Sequence, residues 1–260
     1  MTGSDKTPLV TYEVREGTAV LTLDSPHNRN ALSDRLVADL LEGLRRAEAD
    51  KTIRAVVLTH TGNTFCAGAD LSAASANQAG DLARVRGEQL GAVLRSIVVL
   101  DKPVIGRIDG HVRAGGMGLV GACDIVVAGP RSTFALTESR LGLAAAAISL
   151  VVLPRLTSRS AAYLFLTGDR IGPDEAARIG LVTESVETTE DAVQVLTAAL
   201  AQASPQGLRE SKALLNHAVL AEFNASAERL IDQSARLFTS DEAQEGMAAF
   251  LEKRPPRWVQ

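Results

Sequence analysis

Two glycine-rich stretches, each preceded by a short apolar run, constrain the fold of this chain more than any other feature. The first is TGNTFCAGADL (Thr61–Leu71), which follows Ala55–Leu58. The second is GHVRAGGMGLVGACD (Gly110–Asp124), which follows Pro103–Ile105. The apolar runs predict buried strands, and glycines let a ligand approach the backbone closely. Gly115-Gly116 precedes small apolar residues that predict a short buried helix, whose start would present free N–H groups. One N–H donor from each stretch is therefore expected to hold a developing oxyanion.

The rest of the chain predicts an α/β core over residues 1–203 and a helical C-terminal region over residues 204–260. A hairpin is expected from the strands Val10–Arg15 and Thr18–Leu23, and Ser33 is expected to cap the first helix. Small and polar residues at 72–80 predict a mobile loop beside the pocket. The C-terminal region is predicted to contain three helices, at Gln206–Leu220, Asn224–Phe238 and Asp241–Glu252.

Charge and motif content exclude several classes of function. Lys plus Arg number 27 and Asp plus Glu number 31, so the formal charge is -4 and no basic stripe points to nucleic acid. No run of 18 apolar residues predicts a membrane span. The N-terminus lacks a targeting pattern, and Cys66 and Cys123 form no CxxC, so a cytoplasmic protein with reduced thiols is expected. Cys66 and His111 are each interpreted as packed core residues. The four histidines have no metal-ligand spacing, so no metal is predicted.

Beyond the glycine stretches, four further segments resemble the enoyl-CoA hydratase/isomerase family, also called the crotonase family. They are LDSPHNRNAL (Leu23–Leu32), the FALTE segment ending at Glu138, LTGDRIGPDEAARIGLV (Leu166–Val182) and EGMAAFLEKRPPRW (Glu245–Trp258). The resemblance covers nearly the whole chain in the family's order. It implies a crotonase-like spiral of ββα units with a helical C-terminal oligomerisation region, in a homotrimer or homohexamer. It also implies an acyl-CoA substrate and no separate cofactor, because coenzyme A enters as the substrate thioester.

The same resemblance assigns roles to individual residues. It places the oxyanion hole at the backbone N–H groups of Ala67 and Gly115, and the acid/base group at Glu138. The substrate-binding residues that it implies are His27, Arg29 and Ala31 near the adenine of coenzyme A, Ala67, Gly68, Ala69, Asp70 and Leu71 along the acyl and pantetheine path, Gly115 and Gly118 beside the acyl group, and Lys253, together with Arg254, at a phosphate. The alternative for the last pair is a solvated charge cluster.

Two departures from the family pattern affect the chemistry. Hydratases of this family usually carry two glutamates, and Gly118 occupies the first of the two positions. The usual PGxGG run is replaced by Ala145–Ser149, which makes the pocket wall bulkier. In motif the chain is most similar to the single-glutamate 3-methylglutaconyl-CoA and isohexenylglutaconyl-CoA hydratase-like subgroup. Those substrates carry a second carboxylate, for which Arg113 or Arg140 is a candidate partner; the alternative is that both arginines are structural.

The resemblance therefore implies an enoyl-CoA hydratase-type enzyme that adds water across the double bond of a 2-enoyl-CoA thioester. Within the enzyme class, the alternatives are a 3-methylglutaconyl-CoA-type hydratase and a Δ3,Δ2-enoyl-CoA isomerase, for which one glutamate is enough. Outside that class, the missing glutamate at Gly118 permits a catalytically inactive acyl-CoA-binding protein.

Overall fold

The computed structural model describes residues 7–69 and 79–259. Within those ranges the chain forms nine strands and nine α-helices. The strands are β1 (Val10–Arg15), β2 (Thr18–Leu23), β3 (Ala55–His60), β4 (Thr64–Cys66), β5 (Val104–Ile108), β6 (His111–Arg113), β7 (Ile125–Ala128), β8 (Thr133–Ala135) and β9 (Glu184–Ser185). The helices are α1 (Asp34–Ala49), α2 (Ala79–Val99), α3 (Gly115–Ala122), α4 (Ala146–Val152), α5 (Ser158–Thr167), α6 (Pro173–Arg178), α7 (Thr189–Gln202), α8 (Pro205–Phe238) and α9 (Asp241–Glu252). The expected loop at 72–80 lies mostly outside the described residues.

The strands form two sheets, and successive pairs of strands from β3 to β8 contribute one strand to each sheet. The larger has the order β1-β2-β3-β5-β7-β9, with β1 antiparallel to β2 and the other neighbours parallel. The smaller is parallel and has the order β4-β6-β8. In the units β3-β4-α2 and β5-β6-α3, and in the pair β7-β8, the first strand joins the large sheet and the second joins the small one. Each unit therefore moves one strand along both sheets, which gives the expected spiral of ββα units.

The central strands of the large sheet, β3, β5 and β7, are buried on both faces, as is usual for parallel strands. Side chains alternate along β3, β5 and β7, so that Val56, Leu58 and Val104 enter the main core. Val57, Ile105 and Val127 face the other way and pack with Val193 of α7 in a second cluster. The sheet is thus held between helices on its two sides. Among the helices that the structure describes, none has the length and apolar composition needed to cross a lipid bilayer.

The helix starts follow local chemistry. Ser33 caps α1, and its side chain accepts a hydrogen bond from the Leu36 N–H at 3.3 Å. Thr157, Ser204 and Ser240 cap α5, α8 and α9 in the same way. A side-chain oxygen at this position satisfies one of the free N–H groups of the first turn. The predicted cap at Ser33 is confirmed.

The prediction of three C-terminal helices is wrong, because the first two form one continuous helix, α8, of 34 residues. Residues 221–223 contain no glycine or proline, so nothing in the backbone interrupts the hydrogen-bond ladder. Val219, Phe223, Ser226 and Leu230 are buried on successive turns, and this continuous face extends across the expected break. Helix α8 packs mainly against α2 and α4.

Candidate active site

The candidate site lies where the three strands of the small sheet end. Cys66 pairs with Val112, and Arg113 pairs with Ala135, so β4, β6 and β8 end side by side. Ala69 follows the end of β4, Gly115 follows β6 and Glu138 follows β8, each within a few residues. Ligand sites of parallel sheets lie at the carboxyl ends of the strands, because residues from separate parts of the chain meet there. Topology thus brings together the candidate residues from three separate segments.

The two glycine stretches are in contact. A Cβ placed on Gly115 would lie 3.6 Å from the Cα of Gly68 and 2.9 Å from Cδ1 of Leu32. A Cβ placed on Gly68 would lie 2.7 Å from the Cβ of Ala114. Gly68 also has φ +92°, in the left-handed region that side chains disfavour. Glycine is therefore required at both positions for the backbones to approach this closely.

The N–H of Ala67 is not free to bind an oxyanion in this structure. It donates to the Arg29 carbonyl at 3.1 Å, and Leu32 donates to the Gly68 carbonyl at 2.8 Å. The Gly68 carbonyl and the Ala69 N–H belong to one trans peptide and point in opposite directions. The Ala69 N–H therefore points away from Leu32, and no described residue accepts a hydrogen bond from it. The predicted donor at Ala67 thus shifts to Ala69, which the sequence had suggested only as a substrate contact.

The N–H of Gly115 is available at the start of α3. Gly115 is the first residue of that helix, where an N–H has no partner within the helix. Within the described part of the chain no other group accepts from it, while the Ala114 carbonyl accepts from Met117 at 2.8 Å. Ala114 holds the unusual backbone angles φ 46° and ψ -120°. Such strain is concentrated at functional sites, where it fixes the direction of a backbone group.

Asn30, which the sequence analysis overlooked, ties the loop after β2 to the first glycine stretch. Its side-chain amide donates to the carbonyls of Thr61 and Thr64, at 3.1 and 2.8 Å, and its Oδ1 accepts from the Ser25 N–H at 2.7 Å. The residue is fully buried and has φ 52°. Asparagine tolerates this conformation better than most residues, which was the available signal. Asn30 thereby sets the position of the neighbouring Arg29 carbonyl.

Glu138 opens a short 3-10 turn, Glu138–Leu141, directly after β8. Its Oε2 is buried and has no hydrogen-bond partner within residues 7–69 and 79–259. Burial raises the pKa of this carboxyl to about 7, and its own backbone N–H offsets the effect only in part. A carboxyl with a pKa near 7 can both accept and return a proton at neutral pH. Glu138 is thus suited to acid/base chemistry.

Gly118 has no room for a side chain. A Cβ at this position would lie 2.7 Å from Cγ2 of Ile148 and 3.2 Å from Cδ1 of Leu94. Ile148 belongs to α4 and to the Ala145–Ser149 segment, all of which is buried except the half-buried Ser149. The two departures from the family pattern are therefore physically linked, because the bulkier segment fills the space beside Gly118.

The remaining substrate-binding candidates are placed as follows. His27 and Arg29 are exposed, and Ala31 is buried. Lys253 is exposed at the end of α9, whereas Arg254 pairs with Glu245 and Glu252. No contact joins Lys253 to the other candidates in the described part of the chain. Asp70 and Leu71 lie outside the described residues.

Arg113 and Arg140 are both engaged with backbone carbonyls. Arg113 donates to the carbonyls of Val112 and Thr133, each at 2.7 Å. Burial, and then the charge of Arg170, lower the pKa of Arg113 to about 10. Arg140 donates to the Thr167 carbonyl at 2.7 Å and pairs with Asp169. These contacts agree with the structural interpretation of both arginines.

Cys66 is buried, as predicted, and His111 is half-buried and hydrogen-bonded. Cys66 and Cys123 are buried, and burial raises the pKa of each to about 12, which makes them poor nucleophiles. The Nδ1 of His111 lies 2.9 Å from Oγ1 of Thr133. Within residues 7–69 and 79–259, no three His, Cys, Asp or Glu side chains gather as a metal site would need.

Helix α9 packs directly on the turn that carries Glu138. A Cβ on Gly142 would lie 2.6 Å from the carbonyl carbon of Glu242, and a Cβ on Gly246 would lie 2.6 Å from the Leu141 carbonyl. Backbone thus lies against backbone at both points. Glu245, between these contacts, is held by Arg254 and Arg257. The position of the turn therefore depends on the C-terminal helix.

Comparison with known proteins agrees with the fold. A family model described as enoyl-CoA hydratase/isomerase matches residues 13–260. A crystal structure of an enoyl-CoA hydratase from Mycobacterium avium is 53% identical, covers 98% of this chain and 100% of its own, and superposes with a TM-score of 0.92. The 1,2-epoxyphenylacetyl-CoA isomerase of Escherichia coli K12 is 32% identical, over 95% of this chain and 96% of its own. The 2,3-dehydroadipyl-CoA hydratase of the same organism is 32% identical, over 91% and 93%. This chain belongs to the enoyl-CoA hydratase/isomerase family.

Proposed function

We propose that this protein is a hydratase that adds water across the double bond of a 2-enoyl-CoA thioester. Gly115 and Ala69 hold the thioester oxygen through their N–H groups, and Glu138 is the single acid/base residue. The observation that carries the proposal is the buried, unpartnered Oε2 of Glu138, placed after β8 at the same sheet end as the two free N–H donors.

The reaction proceeds in two balanced steps. Glu138 accepts a proton from water as the water oxygen bonds to the β-carbon, and the electron pair of the double bond moves to the thioester oxygen. The resulting enolate is stabilised by the two N–H groups, which are already oriented and need no rearrangement. Glu138 then returns the proton to the α-carbon. The product is a 3-hydroxyacyl-CoA, and one carboxyl group suffices for both transfers.

The names of the relatives support the family's chemistry on coenzyme A thioesters but differ in the acyl group. One acts on an epoxide of phenylacetyl-CoA and another on dehydroadipyl-CoA, so membership in the family leaves the acyl group of this protein's substrate open. We expect coenzyme A to enter only as part of the substrate. A homotrimer or homohexamer remains our expectation for the assembly.

A Δ3,Δ2-enoyl-CoA isomerase is the second candidate, and the closed space at Gly118 favours it. Isomerisation moves one proton between the α- and γ-carbons, and a single carboxyl can carry it. The oxyanion donors would stabilise the same kind of enolate. The two reactions differ in the position of the substrate's double bond, in the carbons that exchange a proton with Glu138, and in whether water is admitted beside it.

The test is a turnover assay with crotonyl-CoA and trans-3-hexenoyl-CoA on the wild type, on Glu138→Gln and on Glu187→Gln. Glu187 is an exposed glutamate and provides the matched control. A hydratase removes the enoyl absorbance of crotonyl-CoA. If the rate of this loss falls roughly 10²- to 10⁴-fold in Glu138→Gln and stays unchanged in Glu187→Gln, the result supports the hydratase. Appearance of the enoyl absorbance with trans-3-hexenoyl-CoA alone supports the isomerase. Tight binding without turnover of either thioester contradicts both.

A further inference from the structure

Arg86, in the first half of α2, is a partly buried cation with no partner among the residues that the structure describes. Its Nε is buried and makes no hydrogen bond to any of them. Within the described part of the chain its guanidinium forms no ion pair or other hydrogen bond either. Arginine keeps its charge and offers five N–H donors, so leaving it partly buried and unpaired costs free energy. A protein retains such a group most readily when a ligand supplies the missing acceptor.

The other arginines with contacts on α2 are satisfied by α8. Arg84 pairs with Glu88 and with Asp232, and Arg95 donates to Asn224 at 2.9 Å. Gly87 and Gly91 also face α8, since a Cβ on either would contact Ile231. Arg86 lies on a different side of α2, away from these acceptors. Its lack of a partner is therefore a property of its position on the helix.

The side of α2 that carries Arg86 runs along the candidate site. Arg86, Leu90 and Leu94 are spaced at four-residue intervals, which places them in one row. A Cβ on Gly118 would lie 3.2 Å from Leu94 Cδ1, and a Cβ on Gly115 would lie 3.5 Å from Leu90 Cδ2. Arg86 continues this row by one turn, about 6 Å, beyond the oxyanion donor. Helical side chains tilt toward the N-terminus, which carries its guanidinium further in that direction.

We propose that Arg86 binds an anionic group of the acyl-CoA substrate while the thioester oxygen lies at Gly115 and Ala69. The inference rests on the proposed function. Carboxylate and phosphate oxygens match the two parallel N–H donors of a guanidinium. The anionic group is either a carboxylate on the acyl group or a phosphate of coenzyme A. The half-buried Leu90 then contacts the apolar part of the ligand, and Arg86 binds its charged group.

The experiment measures binding of two saturated thioesters, butyryl-CoA and glutaryl-CoA, by calorimetry. The two carry the same coenzyme A, and only the glutaryl group has a carboxylate. Arg86→Gln is compared with wild type and with Arg95→Gln, which removes one charge from the same helix at an exposed site. Equal melting temperatures establish that the variants are folded. Loss of a hydrogen bond to a charged group predicts roughly a 10- to 100-fold increase in Kd for Arg86→Gln.

The pattern of the increase identifies the anion. An increase for glutaryl-CoA alone means that Arg86 binds the acyl carboxylate, and an equal increase for both thioesters means that it binds a phosphate. Kd values of Arg86→Gln within twofold of those of Arg95→Gln for both thioesters overturn the inference. Because neither thioester has a double bond to hydrate, the result does not depend on turnover. A wild type that binds neither thioester refutes the proposed function itself.

Discussion

Replacing Glu138 with Gln should remove activity and should also remove the loss of folding stability that this carboxyl causes as the pH rises toward 7. Burial raises the pKa of Glu138 from 4.5 to about 7 in the folded state. Folding therefore favours the protonated carboxyl, and ionising it in place opposes folding. The contribution of Glu138 to stability is fully present below pH 4.5, is lost as the pH rises toward 7, and changes no further above that. A glutamine at this position has no proton to lose.

The size of the effect follows from the two pKa values. At about 1.4 kcal/mol per pKa unit, the interval from 4.5 to about 7 corresponds to about 3 kcal/mol of unfolding free energy. The glutamine amide brings its own cost, because Oε2 of Glu138 has no partner and an amide there would also lack one. That cost is the same at every pH. The change with pH in the difference in unfolding free energy between variant and wild type therefore reports the ionisation of Glu138 alone.

The assay is urea unfolding of both proteins at pH 4.5, 6 and 8, at one fixed protein concentration because an oligomer's stability depends on it. Relative to wild type, Glu138→Gln should gain about 3 kcal/mol between pH 4.5 and pH 8. The kcat/KM of the wild type should rise with pH through about 7, since the base form accepts the proton. Parallel stability profiles for the two proteins would show that Glu138 is not the buried, pKa-shifted group described above.

Three further changes test the site. Gly118→Ala should cost about 1–3 kcal/mol, because the new methyl would lie 2.7 Å from Ile148; denaturation at the wild-type midpoint would contradict that packing. Gly68→Ala should lower kcat for crotonyl-CoA roughly 10-fold or more, since its Cβ would lie 3.2 Å from the Gly115 nitrogen. An unchanged kcat in a folded variant would remove Gly115 from the oxyanion hole. Gly246→Ala should shift the pH midpoint of kcat/KM by displacing the Glu138 turn, and an unshifted midpoint with normal kcat would show that the turn is independent of α9.

Much of the fold was predictable because its signals are local. The strands β1 and β2, the cap at Ser33 and the short helix after Gly115 each follow from neighbouring residues. The strands β4 and β6 have three residues each, too few for an alternating pattern, and the sequence analysis did not find them. The continuity of α8 across residues 221–223 was also missed, because it depends on buried contacts with α2 and α4.

The site was predictable in its residues more than in its atoms. The family resemblance points to Gly115 and Glu138, but the choice between Ala67 and Ala69 as a donor depends on which way one peptide plane faces. That direction is set by the pairing of Leu32 with Gly68, a contact between distant parts of the chain. Arg86 had no signal either, since an arginine on a helix with one buried and one exposed face is ordinary until its neighbours are known.

The contact between α9 and the Glu138 turn affects how the protein can be handled and altered. Because main chain touches main chain at Gly142 and Gly246, no flexible side chain absorbs a displacement of the helix. A tag, a truncation or a fusion partner after α9 would shift this helix, and the shift would displace the turn that carries Glu138. We expect N-terminal fusions to retain full turnover while C-terminal ones slow it. Changes in α9 are therefore expected to alter turnover although this helix carries none of the residues proposed to contact the reacting group.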